Sequence, residues 1–141
     1  ATDIDDYKLK KAKEFGADNI INANSDFNCR ADKIIVCAGA MNAVRQAFNN
    51  IDKKGTILLF AIPKESINLP NLDIWRNEIT ITSSYGAAPK DLQESLELIK
   101  NKKINVKGMV THRFPLKESG KGFKIAADAK ESLKVIIEPN R

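Results

Sequence analysis

Asp3 ends the opening Ala1-Thr2-Asp3, and two further acids, Asp5 and Asp6, follow where they can cap a helix. A carboxylate at a strand tip can accept both hydroxyls of a sugar's vicinal diol, and it repels a phosphate on the same sugar. In a dinucleotide-binding unit such a residue closes the second strand, after a first strand, a Gly-rich turn and a helix. None of those three precedes Asp3 here, so the chain is expected to be the back part of a cofactor-dependent enzyme. Nucleophile and general-base chemistry find little support. His112 is the single histidine, and no zinc, serine or cysteine partner stands in readable relation to it, so it reads as structural. The two cysteines, Cys29 and Cys37, are too few for a disulfide framework and, with His112, do not make up a zinc site; reduced, partly buried thiols are expected.

These residues belong to a chain of 141, long enough for one ordinary domain with its own core. Hydrophobic residues at 43% and charged residues at 29% are near the averages for folded soluble proteins, which disfavours disorder, collagen and membrane classes. No run approaches the ~20 apolar residues of a membrane span, and the start lacks the basic-then-apolar plan of a secretory signal. A cytoplasmic location without membrane partners is therefore expected. The formal charge of +5 raises nucleic acid as a partner, but the lysines alternate with acids, as in Lys8-Leu9-Lys10-Lys11-Ala12-Lys13-Glu14, and make a solvated face instead.

The elements needed to hold Asp3 and its neighbours follow from periodicity. A helix capped by Asp5 and Asp6 runs through Phe15, with Leu9, Ala12 and Phe15 on one stripe and Gly16 as its stop. A short strand at 19–22 precedes an unbroken β-branched run at 33–37, expected to be covered on both faces as in a parallel sheet. A helix at 41–51, a turn at Gly55 and a second buried strand at 56–62 come next, closed by Pro63. After an extended loop bearing Leu69-Pro70, Ile79-Thr80-Ile81-Thr82 alternates as an edge or interface strand. Pro89 opens a helix with Leu92, Leu96 and Ile99 on one face. A strand at 109–114, a helix at 116–127 weakened by Gly120 and Gly122, and a strand at 133–137 finish the chain. This alternation predicts α/β with a parallel sheet.

The order of landmarks resembles the medium-chain dehydrogenase/reductase family, the zinc-dependent alcohol, sorbitol and threonine dehydrogenases. The resemblance is carried by Ala1-Thr2-Asp3 with Lys8-Leu9 and Ala12-Lys13-Glu14-Phe15-Gly16-Ala17-Asp18, by Gly55-Thr56-Ile57-Leu58-Leu59, by Thr111-His112-Arg113-Phe114-Pro115-Leu116, and by Leu133-Lys134-Val135-Ile136. Ser83-Ser84-Tyr85-Gly86-Ala87-Ala88-Pro89-Lys90-Asp91-Leu92 looks most like the polyol and threonine dehydrogenase branch.

The resemblance implies an incomplete Rossmann-type sheet over 1–85 and a segment, 86–141, that returns toward a catalytic domain. In the order 3-2-1-4-5-6 the lacking first strand is central, so its loss should cut the sheet in two and leave apolar edges open. An isolated fragment is then expected to be oligomeric or rearranged. By family position Asp3 holds the adenosine ribose, arguing for NAD over NADP. Lys8 reaches the same ribose, and Lys134 meets the pyrophosphate. Cys37, Ala38 and Gly39 border the adenine ribose, while Phe60, Ala61 and Ile62 offer main-chain groups to the nicotinamide carboxamide. Tyr85, with Gly86, borders the nicotinamide. Small residues at strand ends equally ease the turn into a helix, and exposed lysines are equally solvated surface.

The implied reaction is hydride transfer between NAD and a secondary alcohol or polyol, with zinc held only by the absent N-terminal domain. No residue here is expected to be catalytic, and the fragment alone is expected to be inactive with at most weak NAD affinity. Trp75 and Arg76 point to a subunit interface, and the strand at 78–82 to pairing between copies of the chain. The alternative is a stand-alone, non-catalytic nucleotide-binding or interaction module; a Gly-rich turn and zinc ligands encoded just upstream would decide for the enzyme.

Overall fold

The computed structural model describes residues 1–25 and 27–140. The chain divides into two compact units, one of Asn28–Ala87 and one that joins Ala1–Phe27 to Ala88–Arg141.

The Asn28–Ala87 unit is a three-stranded parallel sheet in the order β3-β4-β5, formed by Ala31–Val36, Ile51–Leu59 and Thr80–Ser83. Helix α2 (Met41–Asn50) lies between β3 and β4 in sequence and turns Val44 and Ala47 onto the sheet, where Val36, Ile51 and Ile57 complete a buried cluster. Ile57 is fully buried at the centre of the middle strand. The β-branched run of β3 is covered on one face only, for Ile35 remains 62% exposed while Val36 is buried. Three other expectations fail here. β4 starts at Ile51, not at 56, because Ile51 pairs with Ala31 before a register shift brings Thr56 opposite Lys33. The left-handed residue in that shift is Lys54 (φ 61), not Gly55, which lies buried in the strand. There a Cβ would come within 2.6 Å of the Ile51 side chain, so Gly55 serves close packing and not a turn. The stretch expected as an extended loop contains helix α3 (Asn71–Asn77), with Pro70 as its N-cap and Glu78 left-handed at its end.

The second unit carries two short ladders. β1 (Thr2–Asp3) pairs in parallel with β2 (Ile21–Asn22), and β6 (Val110–Pro115) with β7 (Lys134–Glu138). Between β1 and β2 runs α1 (Asp6–Glu14), capped by the Asp5 carboxylate, which accepts from the Tyr7 and Lys8 amides, and closed past Phe15 by Gly16 at φ +103. α4 (Pro89–Lys100) starts at the predicted proline, and Asp91 accepts from the Ala88 amide at 2.8 Å. Its apolar residues Leu92, Leu96 and Ile99 are exposed. A one-turn helix α5 (Val106–Met109) leads into β6, and the helix expected over 116–127 begins as a tight 3₁₀ turn, Leu116–Glu118, before α6 (Ser119–Asp128). Gly122 lets α6 approach β6 and β7 closely: a Cβ there would meet Ile137 at 2.8 Å and the Phe114 ring at 3.2 Å.

The ladders β2-β1 and β3-β4-β5 are separate sheets. With parallel ladders and flanking helices, the fold is an incomplete Rossmann-type α/β arrangement.

Candidate functional site

In the unit that holds both chain ends, Asp3 ends β1 half-buried, and its Oδ1 accepts from the Asp5 amide at 3.0 Å. Asp5 in turn caps the first turn of α1, from which Lys8 projects, so Asp3 and Lys8 are tied through one capping residue. Lys134 is the first residue of β7. Lys8 and Lys134 line the same cavity of about 350 Å³, together with Ala129, Ser132 and Val135. Two lysines and, among the described residues, no acidic residue line this space, which suits an anion; lysine acts there as a point charge on a flexible stem. Ser132 is buried, and its hydroxyl donates to the Ile125 carbonyl at 3.2 Å, which anchors the approach to β7. Sequence reasoning missed Ser132 and Ala129, because neither stands in a periodic pattern and both reach the cavity only through the packing of α6. Lys11, on the same helix as Lys8, is held above the usual lysine value by its hydrogen bond to the Glu14 carboxylate, and belongs to the solvent face.

In the Asn28–Ala87 unit the candidate residues follow the ends of β3 and β4. Cys37 and Ala38 are exposed, and the main chain of Gly39 approaches that of Ile62 so closely that a Cβ would stand 2.6 Å from the Ile62 carbonyl oxygen. The Lys64 amide donates to the Gly39 carbonyl at 3.1 Å, and the Phe60 and Ala61 amides both donate to the Val36 carbonyl at 3.0 Å. The structure therefore gathers Gly39, Ala61 and Ile62 into one rim beyond the carboxyl ends of two adjacent parallel strands, where open α/β sheets take ligands. Phe60 and Ile62 project outward, 62% and 86% exposed, and Tyr85 is fully exposed beyond β5. Both cysteines are exposed free thiols, not the partly buried ones expected, because β3 ends at Val36 and Cys37 lies past the covered part of the strand. Trp75 and Arg76 lie exposed on α3. His112 stacks on Phe114, ring centroids 6.2 Å apart.

Among the described residues no three His, Cys, Asp or Glu side chains gather as a metal site, so these residues do not fit zinc. The acidic strand tip and the cavity lined by two lysines lie in one unit, and the rim of close main chains lies in the other. No helix among the described residues is long and apolar enough to cross a membrane.

Comparison with known proteins shows the family. A family model described as zinc-binding dehydrogenase matches residues 1–101. A sorbitol dehydrogenase of Halalkalibacterium halodurans is 32% identical over 96% of this chain, which spans 42% of that relative. Among solved structures, 2R,3R-butanediol dehydrogenase of Bacillus subtilis superimposes with a TM-score of 0.88 at 20% identity, covering 99% of this chain and 43% of that one. A short chain alcohol dehydrogenase of E. coli CFT073, complexed with NADH, does so with a TM-score of 0.83 at 24% identity, over 96% of this chain and 43% of its own. The chain thus spans about two fifths of the length of the relatives it matches.

Proposed function

We infer the following function from the premise that this chain belongs to the zinc-binding dehydrogenase family: it is the cofactor-binding part of an enzyme that moves a hydride between NAD and a secondary alcohol or polyol. The observation that carries this reading is the cavity lined by Lys8 and Lys134, tied through Asp5 to the strand-tip carboxylate of Asp3. Asp3 keeps its second oxygen for the ribose hydroxyls and disfavours a 2′-phosphate by charge repulsion. Lys8 and Lys134 offset the negative charge of the bridging phosphates. Cys37, Ala38 and Gly39 border the adenine ribose, Phe60, Ala61 and Ile62 offer main-chain groups to the nicotinamide carboxamide, and Tyr85 borders the nicotinamide. When bound, the nicotinamide supplies the hydride acceptor.

The coenzyme part runs over 1–85, and 86–141 return toward a catalytic domain, lending Lys134 to the nucleotide on the way. The zinc that activates the alcohol is held by that other domain. The strand around 78–82 pairs with a second copy of the chain, and the enzyme works in the cytoplasm. The 141-residue chain by itself is inactive.

The test is titration of the whole protein with NADH and NADPH. NADH is expected to bind more tightly, and Asp3→Asn to shrink the difference. Equal affinity for the two cofactors in the unsubstituted protein would remove the role given to Asp3. Turnover of sorbitol or another polyol by the purified 141-residue chain would overturn the division of labour between the domains.

A further inference from the structure

We propose that Thr111 is a positioning residue for Lys134, its hydroxyl fastening the strand bulge from which the lysine enters the cavity it shares with Lys8. The inference rests on the reading of that cavity as a phosphate site. Along the parallel pair β6–β7, Val110 stands opposite Lys134 and His112 opposite Val135, so Thr111 is an extra residue on β6. A bulge of this kind leaves main-chain groups without ladder partners and re-aims the side chains beside it. The Thr111 hydroxyl bonds across to the start of β7. Its Oγ1 accepts from the Leu133 amide at 3.1 Å and donates to the Lys134 carbonyl at 3.2 Å.

His112 Nδ1 lies 3.0 Å from the same oxygen. Stacking on Phe114 holds the ring in that pose. On the other side, the Ser132 hydroxyl bonds to the Ile125 carbonyl of α6. The residues leading into Lys134 are thus pinned from a helix and from the neighbouring strand. This matters for a lysine: its stem is long and flexible, so the reach of its charge is set by where its backbone is held.

The test compares Thr111→Val, Thr111→Ser and Lys134→Ala in the whole protein, with ADP-ribose as the probe that carries phosphates and adenosine as the probe that lacks them. Thr111→Val is expected to raise hydrogen exchange at the Leu133 amide and to weaken ADP-ribose, each about three- to tenfold, the range of one hydrogen bond. Adenosine affinity stays unchanged, and Thr111→Ser behaves as the unsubstituted protein. In a Lys134→Ala background Thr111→Val adds no further loss of ADP-ribose affinity, because the group it positions is gone. Unchanged ADP-ribose affinity in Thr111→Val, while Lys134→Ala weakens it, overturns the positioning role and leaves the phosphate cavity standing. Failure of Lys134→Ala itself to weaken ADP-ribose overturns the cavity reading and this role with it. Loss of adenosine affinity in step with ADP-ribose, or unaltered Leu133 exchange in Thr111→Val, also overturns the proposal.

Discussion

The two units use their residues in opposite ways. In the Asn28–Ala87 unit the sheet, α2 and the cluster around Ile57 make a packed core, and the candidate rim is main chain: what matters at Gly39 is the absence of a side chain. In the unit of both chain ends the buried apolar residues, among those described, are Leu9 and Phe114, and the candidate site is made of charged side chains on a cavity wall. One unit supplies a shape and the other supplies charge. A substitution at the rim should therefore be felt as stability, whereas one at the cavity should be felt as binding.

The contrast is open to attack at four points. Ile57→Ala should be the most damaging, at a cost of about 2–5 kcal/mol by lost burial and the cavity left behind. Amide exchange under mild denaturant should show lost protection concentrated in 28–87; equal loss in β6 and β7 would break the contrast. Gly39→Ala drives a Cβ toward the Ile62 carbonyl and should cost about 1–3 kcal/mol in urea denaturation. A stability equal to the unsubstituted protein would mean that this rim yields. Lys134→Ala should reverse the pattern, with ADP-ribose affinity in the whole protein down roughly tenfold, as for a hydrogen bond to a charged group, and stability changed by less than about 0.5 kcal/mol. Cys37→Ser should do least, since the thiol is exposed and serine is close to it in size. A thermal melt and an NADH titration both within error of the original are expected, and a large loss in either would show that side-chain identity counts at the rim.

Much of the local structure was legible because it depends on neighbours in sequence. Asp5 and Gly16 bracket α1 as caps do, Pro89 starts α4, and the apolar runs become β3, β4 and β7. α3 was not legible: Leu72 and Trp75 are exposed, so no apolar stripe announces the helix, and Pro70 reads as a break although it serves as the cap. Of the candidate site, Asp3 could be picked out as an acidic strand tip, whereas Lys8 and Lys134 were marked only by the family resemblance. Ser132 and Thr111 could not, since one is a serine in a turn and the other a threonine within an ordinary-looking strand.

The amino-acid order alone determined the α/β alternation, the helix ends and the acidic strand tip, because capping, turn chemistry and hydrophobic period act over a few residues. Only the tertiary structure decided that β4 begins at Ile51, that Lys8 and Lys134 share one cavity, and that Thr111 ties β6 to the start of β7. Each of those joins positions 20 or more residues apart, and strand register and helix-on-sheet packing are settled by which surfaces meet, not by what stands next along the chain.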